Sequence, residues 1–258
     1  MKKADKKYIA KEVKDFLEGE ISDKKIEHKV CGFETMKVKL LSPLNVSAYD
    51  EWVLAAYSST FITWNEAGEG LVEEKSHEEK EVLLLDMLRS RPISVATECV
   101  KFTFAMENVS RAVTHQLVRH RKMAFGQQSL RVSNPAQDYV RLPEYLLKEN
   151  PDVGLLSETS ELMELTKELY AKLVDYGVPR EQARAVLPIG ICTKINATMS
   201  LRAMIEYFRA RTSAIAMAEH TYLAALMADE LCDHHPEFYL FLCGQVDGLN
   251  NIRKEYLT

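Results

Sequence analysis

The residues most able to do chemistry lie in one run, Arg119-His120-Arg121-Lys122-Met123-Ala124-Phe125-Gly126-Gln127-Gln128-Ser129-Leu130-Arg131. Two arginines flank an imidazole, seven residues intervene, then comes a hydroxyl, and a further arginine stands two positions later. From Arg111 to Arg141, six Lys/Arg accompany one acidic residue, Asp138, in a chain of net charge −5. A second inversion runs from Gln182 to Met217, where Arg184, Lys194, Arg202, Arg209 and Arg211 accompany the single acid Glu206. Arginine presents a planar fork that grips phosphate or carboxylate at two points. Local clusters of this kind in an acidic chain point to a small anionic ligand. A nucleic-acid binder leaves a basic footprint on the whole domain. Arg202, Glu206 and Arg209 fall at helical spacing and are expected to form an ion-pair ladder in part; Arg184 and Arg211 stand outside it.

These cations need elements to hold them. Val109, Val113, Leu117 and Val118 precede the triplet at helical spacing, which predicts an amphipathic helix whose C-terminal end favours cations. Gly126 is expected to end the element or to supply a turn of positive φ. Val100, Phe102 and Phe104 alternate with Lys101 and Thr103, a strand of period two. Strand followed by helix therefore places the cations at the edge of a sheet. Residues 1–28, with eight Lys and seven Asp/Glu, read as a solvated helical arm, and residues 29–41 as a strand or hairpin. Residues 48–57 and 80–89 read as helices, the second preceded by an acidic loop.

Downstream, Asn134-Pro135, Pro143 and Asn150-Pro151 break the chain repeatedly. Residues 157–176 predict a helix with Leu162, Leu165, Leu169 and Leu173 as its buried stripe and Gly177 as its terminating glycine. Pro179 opens a further helix, and residues 200–212 and 214–233 are helical. No repeat or linker divides these segments. The fold class is α+β: an arm at 1–28, then a single domain at 29–258. A small, mostly antiparallel sheet is packed by helices, and the C-terminal half is helical.

Hydrophobic content of 47% and charged content of 28% are ordinary for a soluble globular chain. Five cysteines without a CxxC pair imply reduced, mostly buried thiols and a cytoplasmic setting. No apolar run is long enough to span a membrane. Neither a dinucleotide-binding glycine motif nor a P-loop occurs. Asp233-His234-His235 lacks a third spaced ligand, so no metal is expected. His115 and the pair Glu219-His220 read as core or interface residues.

The spacing Arg-His-Arg, seven residues, Ser, one residue, Arg resembles the signature of flavin-dependent thymidylate synthases. Val178-Pro179-Arg180-Glu181-Gln182-Ala183-Arg184-Ala185-Val186-Leu187-Pro188 and the stretch from Ser200 to Arg211 are similar to two further blocks of that family. The resemblance implies a homotetramer with each site shared between subunits, binding FAD, dUMP and methylenetetrahydrofolate, with NADPH as reductant and neither nucleic acid nor membrane as partner. It implies that Arg119, His120 and Arg121 contact FAD, with Ser200, Arg202, Glu206, Ser59 and Glu98 on the same side. Gln116, Arg119, Ser129 and Arg131 would hold dUMP, with Gln127 and Gln128 contributing backbone groups. Arg184 would bind the nucleotide phosphate from a neighbouring subunit. Arg211 would sit at the O2/N3 edge of the pyrimidine as the catalytic group. Ser129 has no evident general base beside it and is read as a substrate ligand. Ile93, Ser200, Glu206, Ile215 and Val132 depart from the residues usual in the family. Two other readings remain: an enzyme alkylating C5 of another pyrimidine nucleotide, UMP or dCMP, and a non-catalytic nucleotide-binding paralogue.

Overall fold

Alternation of apolar and polar side chains builds the sheet at the centre of the molecule. The computed structural model describes residues 30–42, 76, 78–79, 82, 96–135, 138–143, 146 and 152–257. Its strands are β1 (Val30–Cys31), β2 (Lys37–Leu40), β3 (Lys101–Ser110), β4 (Met123–Gln127), β5 (Val140–Arg141) and β6 (Cys192–Ser200). Its helices are α1 (Ala96–Cys99), α2 (Arg111–Leu117), α3 (Val153–Asp175), α4 (Arg180–Ala183), α5 (Leu201–Arg211), α6 (Ala218–His234), α7 (Pro236–Gln245) and α8 (Leu249–Leu257). Four strands make an antiparallel sheet in the order β2-β3-β6-β4, and β1 pairs with β5 in parallel.

The fold is α+β and the described residues form a single domain. Phe102, Phe104 and Met106 of β3 and Ile195, Ala197 and Met199 of β6 all point to one buried face. Helices α5 and α6 cover it with Met204, Phe208, Leu223, Met227 and Leu231. Removing one large apolar side chain from water in this way stabilises by about 1.5–3 kcal/mol. A register shift between Met106 and Val109 bends β3 at Asn108, whose φ is 56°. Two contacts hold that turn: Asn108 Nδ2 donates to the Thr35 carbonyl at 2.9 Å, and Arg141 Nη2 donates to the Asn108 carbonyl.

β3 passes directly into α2 through Ser110, whose hydroxyl accepts from Val113 N at 3.2 Å. The same hydroxyl donates to Glu219 Oε2 at 2.7 Å, and Ser110 N donates to Glu219 Oε1 at 2.9 Å. Arg141 Nε pairs with Glu219 Oε1 at 3.3 Å, both side chains being only 3% exposed. A buried ion pair thus ties β5 and α6 to the start of α2.

Several expectations change. Gly126 ends nothing: it lies inside β4, and the positive-φ glycines among the described residues are Gly177 and Gly248. Val109 belongs to β3, so α2 is shorter than the apolar spacing suggested. Gly177 does follow α3 with φ 96°, but the face of α3 is rotated. Leu162 is 62% exposed, whereas Glu164, Lys167 and Tyr170 are buried. Lys167 and Glu164 lie 3.3 Å apart, and this pairing offsets the cost of burying either charge. The ladder within α5 does not form, since each member finds a partner elsewhere. Arg202 pairs with Glu98 at 3.2 Å, Glu206 with Lys122 at 2.5 Å, and Arg209 donates to the Gln245 carbonyl. His115 is exposed, while Glu219 and His220 are buried. The expected arm at 1–28, the helix at 48–57, nearly all of 80–89, Ser59 and Ile93 lie outside the described residues.

Candidate functional site

The short helix α2 and the turn that follows it divide the predicted site residues into three groups. Backbone bonds from Arg119 N to Gln116 O (3.2 Å) and from His120 N to Leu117 O (3.0 Å) tighten the turn. The chain then enters β4, the edge strand against β6.

The first group lines a cleft of about 610 Å³. Glu98, Arg121, Ser200 and Arg202 all border it, together with Lys101 and Lys122. Register explains why residues so distant in sequence meet. Lys101 faces Ser200 across β3 and β6, while Met123 and Ala124 face Met199 and Thr198 across β4 and β6. The Ser200 hydroxyl accepts from Ala203 N at 3.2 Å and so caps α5. Four cations beside an apolar wall of Met123, Ala124, Met199 and Ala203 suit a ligand that joins an anionic group to a flat ring system. That donor set fits a flavin dinucleotide. Glu206 does not border this cleft; its carboxylate reaches Lys122 on the exposed side.

The second group centres on Arg211, at the end of α5. Its Nη1 donates to Gln116 Oε1 at 3.3 Å, and its Nη2 donates to His120 Nε2 at 2.8 Å. His120 therefore meets Arg211, while its neighbour Arg121 lines the cleft. The guanidinium is half-buried, and burial lowers its pKa. Burial, and then the neighbouring Arg211, also lowers the pKa of His120. Tyr207 and His220, both fully buried, pack beside this pair with ring centroids 5.2 Å and 6.4 Å from His120.

The third group is more exposed. Arg131 pairs with Glu181 at 2.9 Å, and Arg184 Nε donates to the Glu181 carbonyl at 3.2 Å. One chain thus brings Arg131 and Arg184 together through Glu181. The Ser129 hydroxyl accepts from Arg131 N at 3.2 Å. Gln127 donates through Nε2 to Thr114 Oγ1 at 3.0 Å. The backbone of Gln128 is already engaged, N–H to the Lys194 carbonyl at 2.9 Å and C=O to Arg111 Nη2 at 2.9 Å.

Arg111, Tyr207 and His220 lie against these groups without having been expected among the site residues, His220 having been read as core or interface. Arg111 is half-buried, and its pKa is lowered by burial and then by nearby Arg184. Its place at the head of a basic run was the available signal. His220 had one too, a polar residue on the apolar face of a helix. Tyr207 had none beyond its helical position.

Over residues 46–237 the chain matches the profile of the thymidylate synthase complementing protein family. The flavin-dependent thymidylate synthase of Sulfurisphaera tokodaii is 32% identical over 184 residues, 70% of this chain and 69% of that protein. That of Clostridium tetani is 32% identical over 219 residues, 80% of this chain and 86% of that one. The chain belongs to the flavin-dependent thymidylate synthase family. It is accordingly a methyltransferase-type enzyme of a flavoprotein family. The fold also matches the crystal structure of a UMP/dUMP methylase, PolB, from Streptomyces cacaoi bound with 5-Br dUMP. The TM-score is 0.63 at 23% identity, covering 82% of this chain and 97% of that one. Among the described residues no helix is long and apolar enough to cross a membrane.

Proposed function

We propose that the enzyme methylates C5 of dUMP to give dTMP, with FAD in the cleft beside Arg121 and Arg202, methylenetetrahydrofolate as carbon donor and NADPH as reductant. The observation that carries this reading is the seating of Arg211. Two partners, Gln116 and His120, hold a half-buried guanidinium in a fixed plane. Uracil C5 is a weak nucleophile until charge is pushed into the ring. A guanidinium at the O2/N3 edge favours the anionic form, and a group held in place before reaction needs no reorganisation to do so. Gln116 orients the base through its remaining N–H, and Ser129 and Arg131 hold the nucleotide. From a neighbouring subunit, Arg184, with Arg111 behind it, receives the phosphate. Hydride and the one-carbon unit come from flavin and folate when these are bound. The protein's own work is to bind, orient and polarise.

The same reading makes the enzyme a homotetramer with shared sites. Val153, Leu155 and Leu162 of α3 are exposed apolar residues suited to a subunit interface. Light scattering at micromolar concentration is expected to report four subunits, and a monomer overturns the shared site. The fold match to a UMP/dUMP methylase favours one second reading, in which UMP is also a substrate. Assay of purified protein with dUMP, UMP and dCMP in turn, each with FAD, folate and NADPH, decides between them. Product from dUMP is expected. Turnover of UMP or dCMP alone overturns the dUMP assignment, and no product from any of the three, with nucleotide still bound, supports a non-catalytic paralogue.

A further inference from the structure

The residue outside all these roles that the structure draws into the site is His220. It lies on the buried face of α6, is 0% exposed, and carries its Nδ1 3.5 Å from Gln116 Oε1. The chemistry of its neighbours fixes its state. An arginine only donates, so the Gln116 amide must turn its oxygen to Arg211 and its nitrogen to Met217 Sδ, 3.4 Å away. That oxygen only accepts, so Nδ1 of His220 must carry the proton that meets it. By the same logic His120 Nε2 accepts from Arg211, and its proton also sits on Nδ1. The two histidines share one tautomer: Arg211 sets that of His120 directly, and the Gln116 oxygen that Arg211 holds sets that of His220.

We propose that His220 is a positioning residue, which holds the Gln116 amide through its Nδ1–H so that the carbonyl oxygen and the Arg211 guanidinium keep one geometry. This inference rests on the reading of Arg211 as the group that polarises the pyrimidine. The burial of a neutral imidazole supports it: burial, then Arg211 and His120, hold the pKa of His220 down to about 2. So does the fate of the other ring nitrogen. Nε2 is buried and has no hydrogen-bond partner among the described residues. An aliphatic side chain would fill the same space, beside the rings of Tyr207 and His120, without burying an unused lone pair. The imidazole stands at a position where packing alone favours a hydrocarbon, and its one hydrogen bond goes to the amide that also holds Arg211.

Two variants and one spectroscopic measurement test this. His220→Leu keeps bulk and removes the donor. It is expected to lower kcat about 10-fold or more, because small displacements of a catalytic group are costly, while KM for the nucleotide moves little. His220→Asn places an amide N–H near the former Nδ1–H and is expected to recover most of that loss. Nitrogen-15 NMR of the ligand-free protein is expected to show His220 as the neutral Nδ1–H tautomer at neutral pH, with its signals displaced in Arg211→Ala. An Nε2–H tautomer overturns the proposal. So does His220→Leu with wild-type kcat, or an Asn variant as impaired as the Leu variant, which would assign the residue to packing. The NMR result stands without turnover, so an enzyme inactive on every pyrimidine nucleotide defeats the functional reading and leaves this test decisive.

Discussion

Arg184 and Arg211 are both cations near an anion site, yet their surroundings give them different jobs. Arg184 is exposed and lightly held. The phosphate contact proposed for it would be the same in ground and transition states, so Arg184→Ala is expected to raise KM with little change in kcat, by about 1.5 kcal/mol. Arg211→Ala is expected to lower kcat about 10²-fold or more, and Arg211→Lys to restore little because an ammonium cannot occupy both partners of the fork. Steady-state kinetics at saturating nucleotide separate the two cases; near-normal kcat in Arg211→Ala defeats ring activation by this residue. Protonation adds a second check. A protonated His120 would turn a donor toward Arg211, and its pKa is lowered by burial and Arg211. Turnover is therefore expected to be level above about pH 6.5 and to fall on the acid side. Stability follows in the same sense. Below about pH 6.5 the unfolded chain binds protons that the folded chain refuses at His120 and His220, so stability declines as pH falls. A stability maximum on the acid side contradicts both neutral histidines. The arginines were legible because their type and spacing are local facts. Their partners were not, since Gln116 meets Arg211 only once β3, α2 and α5 are packed.

At the scale of elements, the start of α2 decides where Gln116 and His120 stand. Ser110 caps that helix and also binds Glu219, so one hydroxyl serves both the local turn and the core. Ser110→Ala is expected to destabilise by about 1–3 kcal/mol, through the lost cap and the weakened partner of a buried carboxylate. Urea titration checks this; a loss below a few tenths of a kcal/mol shows that the cap is dispensable. Sequence alone supplied β3, α5 and α6, whose periodicity is strong. It missed β6, where Thr193, Asn196, Ala197 and Thr198 dilute the alternation with weakly apolar residues. It missed β4 because Met123–Gln127 follows directly on a basic run and contains a glycine. It misjudged the inward face of α3 because leucines outnumber the paired Glu164 and Lys167 as a burial signal. The cleft was invisible for the same reason, being a product of the register between strands that had not been foreseen.

For the molecule as a whole, the buried Arg141–Glu219 pair joins β5, α6 and the bulge at Asn108. Arg141→Met leaves the buried Glu219 with Ser110 but without its cation and is expected to cost about 3–5 kcal/mol, whereas the double variant Arg141→Met/Glu219→Leu loses less. Equal losses in the two, measured by urea titration, would show that Glu219 needs no cation. The sheet order carries a different consequence, for biosynthesis. β3 and β4 follow each other in the chain, yet β6 lies between them and is made only after α3 and α4. A nascent chain that has emerged as far as α4 holds two strand edges facing an empty slot, the kind of edge that recruits other chains. Such late, non-local pairing is slow and exposed to aggregation. The cleft wall formed by Thr198 and Ser200 is absent until that slot closes, so ribosome-bound fragments ending before Cys192 should be sticky to chaperones and blind to flavin.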